Sequence, residues 1–244
     1  MGLLLDADRI PIGMKMYPGN QSEKPIIREV IQSLKKRHSL DTKTVRVADK
    51  GLNCAENIYS TAFDQDGYIF SKSVKQLPQL EQTWILLDRD YKEVKNSDGT
   101  LKYKYKEWTD KFPYSFKDKD GKTISFEIYE KRVVTFNPKL AEKKRIEILK
   151  MVDKVVNLSA RSAKRYEYGD AVKYAQFLST DQDGNLTDGK VIAKINKEAL
   201  DNDLKLAGYN LLVTSEFNMS SIEIYEAYHN LWRIEETFKL MKSQ

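Results

Sequence analysis

Cysteine and histidine are scarce in this chain of 244 residues, which has one cysteine, Cys54, and two histidines, His38 and His229. A single cysteine excludes an internal disulfide and is compatible with a reducing compartment. We expect Cys54 to be a small core residue. Three such side chains cannot supply the four ligands of a usual zinc site, so any metal here would be held by carboxylates.

Long apolar runs are also missing. No stretch approaches the roughly 18 to 20 apolar residues needed to cross a bilayer. The first residues, MGLLLDADRIP, lack the basic region and the small-residue cleavage site of a secretory signal. These two absences predict a soluble, cytoplasmic protein with no membrane partner.

Neither sign of charge is in large excess. The chain has 41 Lys and Arg against 36 Asp and Glu, a net charge of +5, and its composition of 41% apolar and 32% charged residues suits one large or two small globular domains. The basic residues cluster in the segments SLKKRH, AEKKR and SARSAKR. Such clusters permit a nucleic-acid partner, although solvated helix faces carry them equally often.

Residues 1–74 predict the first part of an α/β core. The predicted order is a hairpin of Leu3–Leu5 and 10–16, a helix from Ser22 to His38, a strand Thr44–Ala48, a helix Asn53–Phe63 with Asn53 as its cap, and a strand Tyr68–Ser71. This order is typical of a mixed sheet with flanking helices. Functional groups gather at the carboxyl ends of strands in such sheets, and Asp49 follows one of them.

Residues 75–208 predict a mostly antiparallel β insertion with one internal helix. The predicted strands are Trp84–Leu87, Leu101–Trp108, Tyr114–Phe116 and Ile124–Phe136, and the predicted helix is Pro138–Asn157. The segment DQDG lacks the rest of a calcium-binding loop. Residues 209–244 then return to the core with the strand YNLLVTS and a last helix that Ser220 or Ser221 caps.

The last helix carries an unusual polar ridge. Its apolar positions repeat at spacings of three and four and form a buried seam: Ile224, Ala227, Leu231, Ile234, Phe238 and Met241. At about 100° per residue, Tyr228, Glu235 and Lys242 align on the flank of that seam. The ridge is either a partly exposed face on which Glu235 pairs with a lysine, or a functional surface. Asp49 is equally open to two interpretations, as a helix cap or as a functional carboxylate.

Together these residues resemble the catalytic core of bacterial insertion-sequence DDE transposases of the insertion-sequence-4-like group. The segment VADKG resembles the strand that carries the second aspartate of that family, and the helix with WRIEETFK resembles its Y-x2-R-x3-E-x6-K (YREK) signature. The resemblance implies an RNase H-like mixed sheet that a β insertion interrupts. It also implies Mg²⁺- or Mn²⁺-dependent cleavage and transfer of DNA strands in transposition, near the bacterial nucleoid.

Residue by residue, the resemblance implies that Asp49 and Glu235 are catalytic carboxylates of a two-metal site, and that Tyr228 and Lys242 contact DNA. Carboxylates are hard ligands suited to Mg²⁺, and a lysine supplies a point charge for phosphate. Leu231 stands where the signature has an arginine. Arg233 lies about 200° around the helix from that position, so it cannot replace the missing arginine.

In the family, the first aspartate lies on the strand just before the hairpin, whereas this chain starts at Met1. We therefore expect a chain that is truncated at both ends, lacks the first strand and is inactive alone. One alternative is a complete RNase H-like nuclease that uses Asp6 or Asp8; another is a non-catalytic DNA-binding fragment that interferes with full-length transposase. The expected partners are insertion-sequence ends, target DNA, and full-length transposase or a second copy.

Overall fold

A computed structural model describes residues 2–5, 11–15, 23–160, 163–180 and 190–230. Its strands are β1 (Gly2–Leu5), β2 (Pro11–Lys15), β3 (Val45–Ala48), β4 (Gly67–Lys72), β5 (Lys92–Lys95), β6 (Leu101–Lys117), β7 (Thr123–Phe136), β8 (Ala175–Thr180), β9 (Lys190–Ile195) and β10 (Tyr209–Thr214). Its α-helices are α1 (Glu23–Arg37), α2 (Ala55–Phe63), α3 (Gln79–Leu86), α4 (Pro138–Ala160), α5 (Lys197–Lys205) and α6 (Ser221–His229). Val74–Gln76 and Arg165–Tyr174 form 3₁₀ segments. None of these helices is long and apolar enough to cross a membrane.

The largest sheet is mixed. Its six strands follow the order β3-β4-β10-β7-β6-β5, in which β3 runs parallel to β4 and β10 runs antiparallel to β4. The pairs β1–β2 and β8–β9 form two separate antiparallel hairpins. The α/β class with a mixed sheet and the predicted first hairpin are thereby confirmed.

Contacts divide the chain into two compact units. The first contains Met1–Ser73, Tyr105–Thr135 and Asn210–Gln244, and the second contains Val74–Lys104 and Phe136–Tyr209. In the second unit, α4 packs its buried side chains Ile148, Val155 and Leu158 against the 3₁₀ segment Arg165–Tyr174. The domain boundaries expected from the sequence, after residues 74 and 208, remain a prediction.

In the first unit, α6 packs on one face of the sheet. Ile69, Val133, Leu212 and Ile224 have no exposed surface, and Val47 and Tyr228 pack against them. Burying each such aliphatic side chain stabilises the fold by about 1.5 to 3 kcal/mol. Because side chains alternate along a strand, Val47 and Ile69 define the face that α6 covers.

Several predictions for residues 75–208 were wrong. Trp84–Leu87 belongs mostly to α3 and not to a strand, because a short apolar run cannot distinguish a buried helix from a strand. The two predicted strands around Pro113 are one strand, β6. Pro113 is tolerated within β6 because a proline can lie where a strand has no partner on one side. The neighbour of β6 on one side, β5, has only four residues. The described part of the segment contains three α-helices, α3, α4 and α5, and not one. The last of them follows an Asn196 cap, which accepts a hydrogen bond from the Ala199 amide.

The start of α2 also differs from the prediction. Cys54, and not Asn53, occupies the N-cap position, and its side chain makes no capping hydrogen bond. Asn53 instead donates a hydrogen bond of 2.9 Å to the carbonyl of Ser71 in β4. Cys54 is half-buried and is therefore not the core residue that we expected.

Candidate active site

Asp49 directly follows β3 and is exposed. Its Oδ1 accepts a hydrogen bond of 2.9 Å from the Gly51 amide, and its carbonyl accepts one of 3.2 Å from the Leu52 amide. The carboxylate thus closes a tight turn between β3 and α2. Because Cys54 is at the N-cap of α2, Asp49 does not cap that helix, and the capping interpretation is wrong.

Polar side chains gather around the strand ends at this edge of the sheet. Ala48 pairs with Phe70, so the next residues along the two parallel strands, Asp49 and Ser71, end at the same edge. Ser71 also hydrogen-bonds through its hydroxyl to Oδ1 of Asn210, at 2.8 Å, and its carbonyl accepts the hydrogen bond from Asn53. Neither Ser71 nor Asn210 was predicted as a site residue. Only Ser71 carried a signal, because it lies near the carboxyl end of β4, whereas Asn210 lies at the amino end of β10.

Tyr228 packs on the sheet to which β3 belongs. It is half-buried and packs against the cluster of Ile69, Val133, Leu212 and Ile224, as Val47 of β3 also does. Asp49 is the first residue after β3, in the turn that its carboxylate closes. The position of this carboxylate relative to Tyr228 remains a prediction.

The start of α6 is at the opposite end of β4. The Ser215 hydroxyl, just after β10, accepts a hydrogen bond of 3.1 Å from the amide of Tyr68. Ser220 then begins α6 with a capping box, in which its hydroxyl accepts from the Glu223 amide and Glu223 accepts from the Ser220 amide. Since α6 contacts both β3 and β4, it returns from this end over the sheet. The predicted cap of the last helix is confirmed.

His229, which the sequence brought up only as a possible zinc ligand, contacts two tyrosine rings of α6. Its ring lies 3.9 Å from that of Tyr225 and 5.6 Å from that of Tyr228, measured between centroids. Burial lowers the pKa of His229 below its usual value, because the charged imidazolium loses hydration. A neutral imidazole therefore packs beside Tyr228 at neutral pH.

The other predicted site residues lie outside the described residues. These are Glu235 and Lys242, together with Leu231 and Arg233 of the predicted signature and the alternative ligands Asp6 and Asp8. Their positions relative to Asp49 therefore remain predictions.

The family follows from the whole sequence. A family model described as the transposase DDE domain matches residues 1–244. The chain belongs to the transposase DDE domain family. No curated protein sequence matches it. Proteins of this family are transposases of mobile elements, and their DDE domains bind DNA and use divalent metal ions in transposition-related nuclease chemistry.

Asp49 suits the divalent metal that a DDE domain requires. Its carboxylate is exposed and is a hard oxygen donor, and the one hydrogen bond that this carboxylate accepts among the described residues, from the Gly51 amide, occupies one of its two oxygens. Within the described ranges, however, no three His, Cys, Asp or Glu side chains are grouped to hold a metal ion. A metal site at Asp49 would therefore need ligands from outside the described residues.

Proposed function

We propose that this DDE domain cleaves and transfers DNA strands in transposition of an insertion sequence of the insertion-sequence-4-like group. The observation that carries the proposal is Asp49, an exposed carboxylate that directly follows the carboxyl end of β3 in the sheet on which α6 packs. Glu235 follows Tyr228 by seven residues, which is close to two helical turns. If the helix continues, Glu235 lies on the same side as Tyr228, as the YREK signature requires.

The mixed sheet fits an RNase H-like assignment. β3 is an edge strand of the described six-stranded sheet, and the β1–β2 hairpin is a separate sheet. An edge strand exposes unpaired amide and carbonyl groups to a further strand. We assign this edge as the position of the family's first strand, with its first aspartate beside Asp49.

Asp49 and Glu235 would hold Mg²⁺ or Mn²⁺. The bound metal supplies activation of the attacking hydroxyl and stabilisation of the leaving oxygen at a phosphodiester. The Gly51 amide fixes the Asp49 carboxylate and leaves its second oxygen open. Lys242 would contribute a point charge for phosphate, and Tyr228 would contact the DNA near the reacting end.

Two measurements on the purified chain test this proposal. Calorimetric titration with Mn²⁺ should show binding that Asp49→Asn and Glu235→Gln each weaken, whereas Asp41→Asn, an exposed aspartate in the loop before β3, should leave it unchanged. Equal loss in the Asp41 variant, or no effect of Asp49→Asn, would contradict the proposed site. In the second measurement, Mg²⁺- or Mn²⁺-dependent nicking of insertion-sequence-end DNA is assayed. Nicking that Asp49→Ala abolishes would support the proposal, and nicking that survives Asp49→Ala would contradict it.

A further inference from the structure

One face of α4 carries a row of lysines. Lys139, Lys143, Lys150 and Lys154 are all exposed, and at about 100° per residue they fall within about 60° of the helix circumference. The buried side chains Ile148 and Val155 lie on the opposite side. We call these four residues the α4 lysine stripe.

The stripe is electrostatically available. Within the described residues, none of its four ammonium groups forms an ion pair, whereas the neighbouring Lys144 is paired with Glu147 at 2.9 Å. Lys144 lowers the pKa of Glu147 most, and Lys143 and Lys150 lower it further, so the positive field extends along the helix. Acidic side chains flank the stripe on both sides: Glu142 and Asp153 lie on one side, and Glu147 lies on the other, about 20° around the helix from Lys154.

The shape of this face is suited to an elongated polyanion. Two adjacent shallow depressions follow the helix. The first is lined by Lys139, Lys143 and Lys150 together with Glu142, Ile146 and Glu147, and the next by Lys150 and Lys154 together with Asp153, Asn157 and Leu158. From Lys139 to Lys154 the helix rises about 22 Å. Each lysine can neutralise one phosphate, so the stripe can contact up to about four phosphates.

We propose that the α4 lysine stripe binds the phosphate backbone of DNA, as a contact surface in the second unit in addition to the Asp49 site. The inference rests on the proposed function in that DNA is the partner. Lysines that act as point charges on phosphates bind without reading sequence. The stripe therefore adds affinity and steering for any duplex, and it makes that affinity depend on salt.

Salt-dependent binding of a short duplex of mixed sequence, followed by fluorescence anisotropy on the full chain without metal, tests this inference. The variant is Lys143→Gln/Lys150→Gln, and the matched control is Lys197→Gln/Lys205→Gln, which removes the same charge from exposed positions of α5. The stripe variant should bind about tenfold more weakly at about 100 mM salt, and its slope of log K against log salt should fall by about 0.9 for each lost contact. The control should keep the wild-type slope, and circular dichroism should show equal helix content in all three proteins.

Each other outcome has a distinct meaning. Equal weakening in the stripe variant and the control would show a general charge effect and would overturn the inference. An unchanged slope in the stripe variant would overturn it too, and would favour a protein partner at the exposed Leu149 and Val156 on the neighbouring flank. If the wild-type chain bound no duplex at any salt concentration, both the inference and the DNA partner of the proposed function would fail. Loss of Mn²⁺ binding with intact duplex binding would refute the Asp49 site alone.

Discussion

The hydroxyl of Tyr68 donates a hydrogen bond of 2.9 Å to Oε2 of Glu130, a carboxylate with no exposed surface. Tyr114 donates a second hydrogen bond of 2.9 Å to the same oxygen, and Nε of Arg132 donates one of 2.9 Å to Oε1. The Arg132 guanidinium in turn lies over the Phe112 ring. Burial raises the pKa of Tyr68, and the Glu130 charge raises it further, so the phenol stays a proton donor.

We expect Glu130→Ala to destabilise the protein by about 3 to 5 kcal/mol, because it removes the carboxylate that pairs with the buried Arg132 guanidinium. Tyr68→Phe should cost about 1 to 3 kcal/mol, since it removes one donor from a buried carboxylate. Urea unfolding of both variants measures these free energies. If the two variants were equally stable, the buried ion pair would not be the dominant interaction in this network.

A glycine in the second unit provides the next prediction. Gly208 has a φ of 86°, and a Cβ added there would approach the Ala141 Cβ to 2.5 Å and the Asn137 carbonyl oxygen to 2.9 Å. Gly208→Ala therefore combines left-handed strain with a clash, and should cost about 3 kcal/mol or more. Gly121→Ala is the matched control, because Gly121 has a φ of 79° in open space and should cost only about 1 to 2 kcal/mol. Equal melting temperatures for the two variants would show that the clash is relieved.

The sequence predicted the parts of the fold with strong local signals. The β3 strand is short and rich in β-branched residues, and Ser220 forms a capping box with Glu223. These local patterns predicted the position of β3 and the start of α6. The run around Trp84 was predicted wrongly as a strand because a short apolar segment is compatible with a buried helix as well as with a strand.

The candidate site was predictable to a smaller extent. Position after a strand identified Asp49, but could not show that its Oδ1 accepts from Gly51 rather than from the start of α2. Helical spacing aligned Tyr228 with Glu235 without giving the sheet on which the helix packs. The structure shows which sheet α6 packs on, because Tyr228 packs against the cluster of Ile69, Val133, Leu212 and Ile224.

Acid should weaken the first unit through Asp66. Burial would raise the pKa of this carboxyl, but hydrogen bonds from Lys35, Arg46 and Thr44 outweigh burial and lower it. A carboxyl whose folded pKa is depressed stabilises the protein above its unfolded value of about 3.9. That stability is lost as the pH falls through the folded pKa.

Urea midpoints measured from about pH 7 to about pH 3 should therefore fall steeply below about pH 4. The Asp66→Asn variant should be less stable at neutral pH and should lose less stability with acid. Asp41→Asn, at an exposed position, is the control and should follow the wild-type curve. A variant curve parallel to the wild type would assign the acid sensitivity to other carboxyls.

Lys131 connects the long β6–β7 hairpin to the start of α6. Its Nζ lies 3.0 Å from Oε2 of Glu107 and donates a hydrogen bond of 3.0 Å to the Met219 carbonyl, and the Ser221 hydroxyl donates to the same Glu107 oxygen. Lys131 is mostly buried, with 12% of its side chain exposed. We expect Lys131→Met to keep the packing of the aliphatic stem but lose both polar contacts, at a cost of about 1 to 3 kcal/mol.

The loss should be concentrated at α6, because the contacts of Lys131 hold its first turn. Hydrogen exchange in the Lys131→Met variant should accelerate in residues 221–229 and remain near wild type in α2. Lys122→Met, in the exposed turn at the tip of the same hairpin, is the control and should leave both helices unchanged. Since α6 carries Tyr228 and leads to Glu235, the Lys131 variant should also bind Mn²⁺ more weakly than the control. Faster exchange throughout the first unit would instead show that Lys131 stabilises the whole unit and does not specifically position α6.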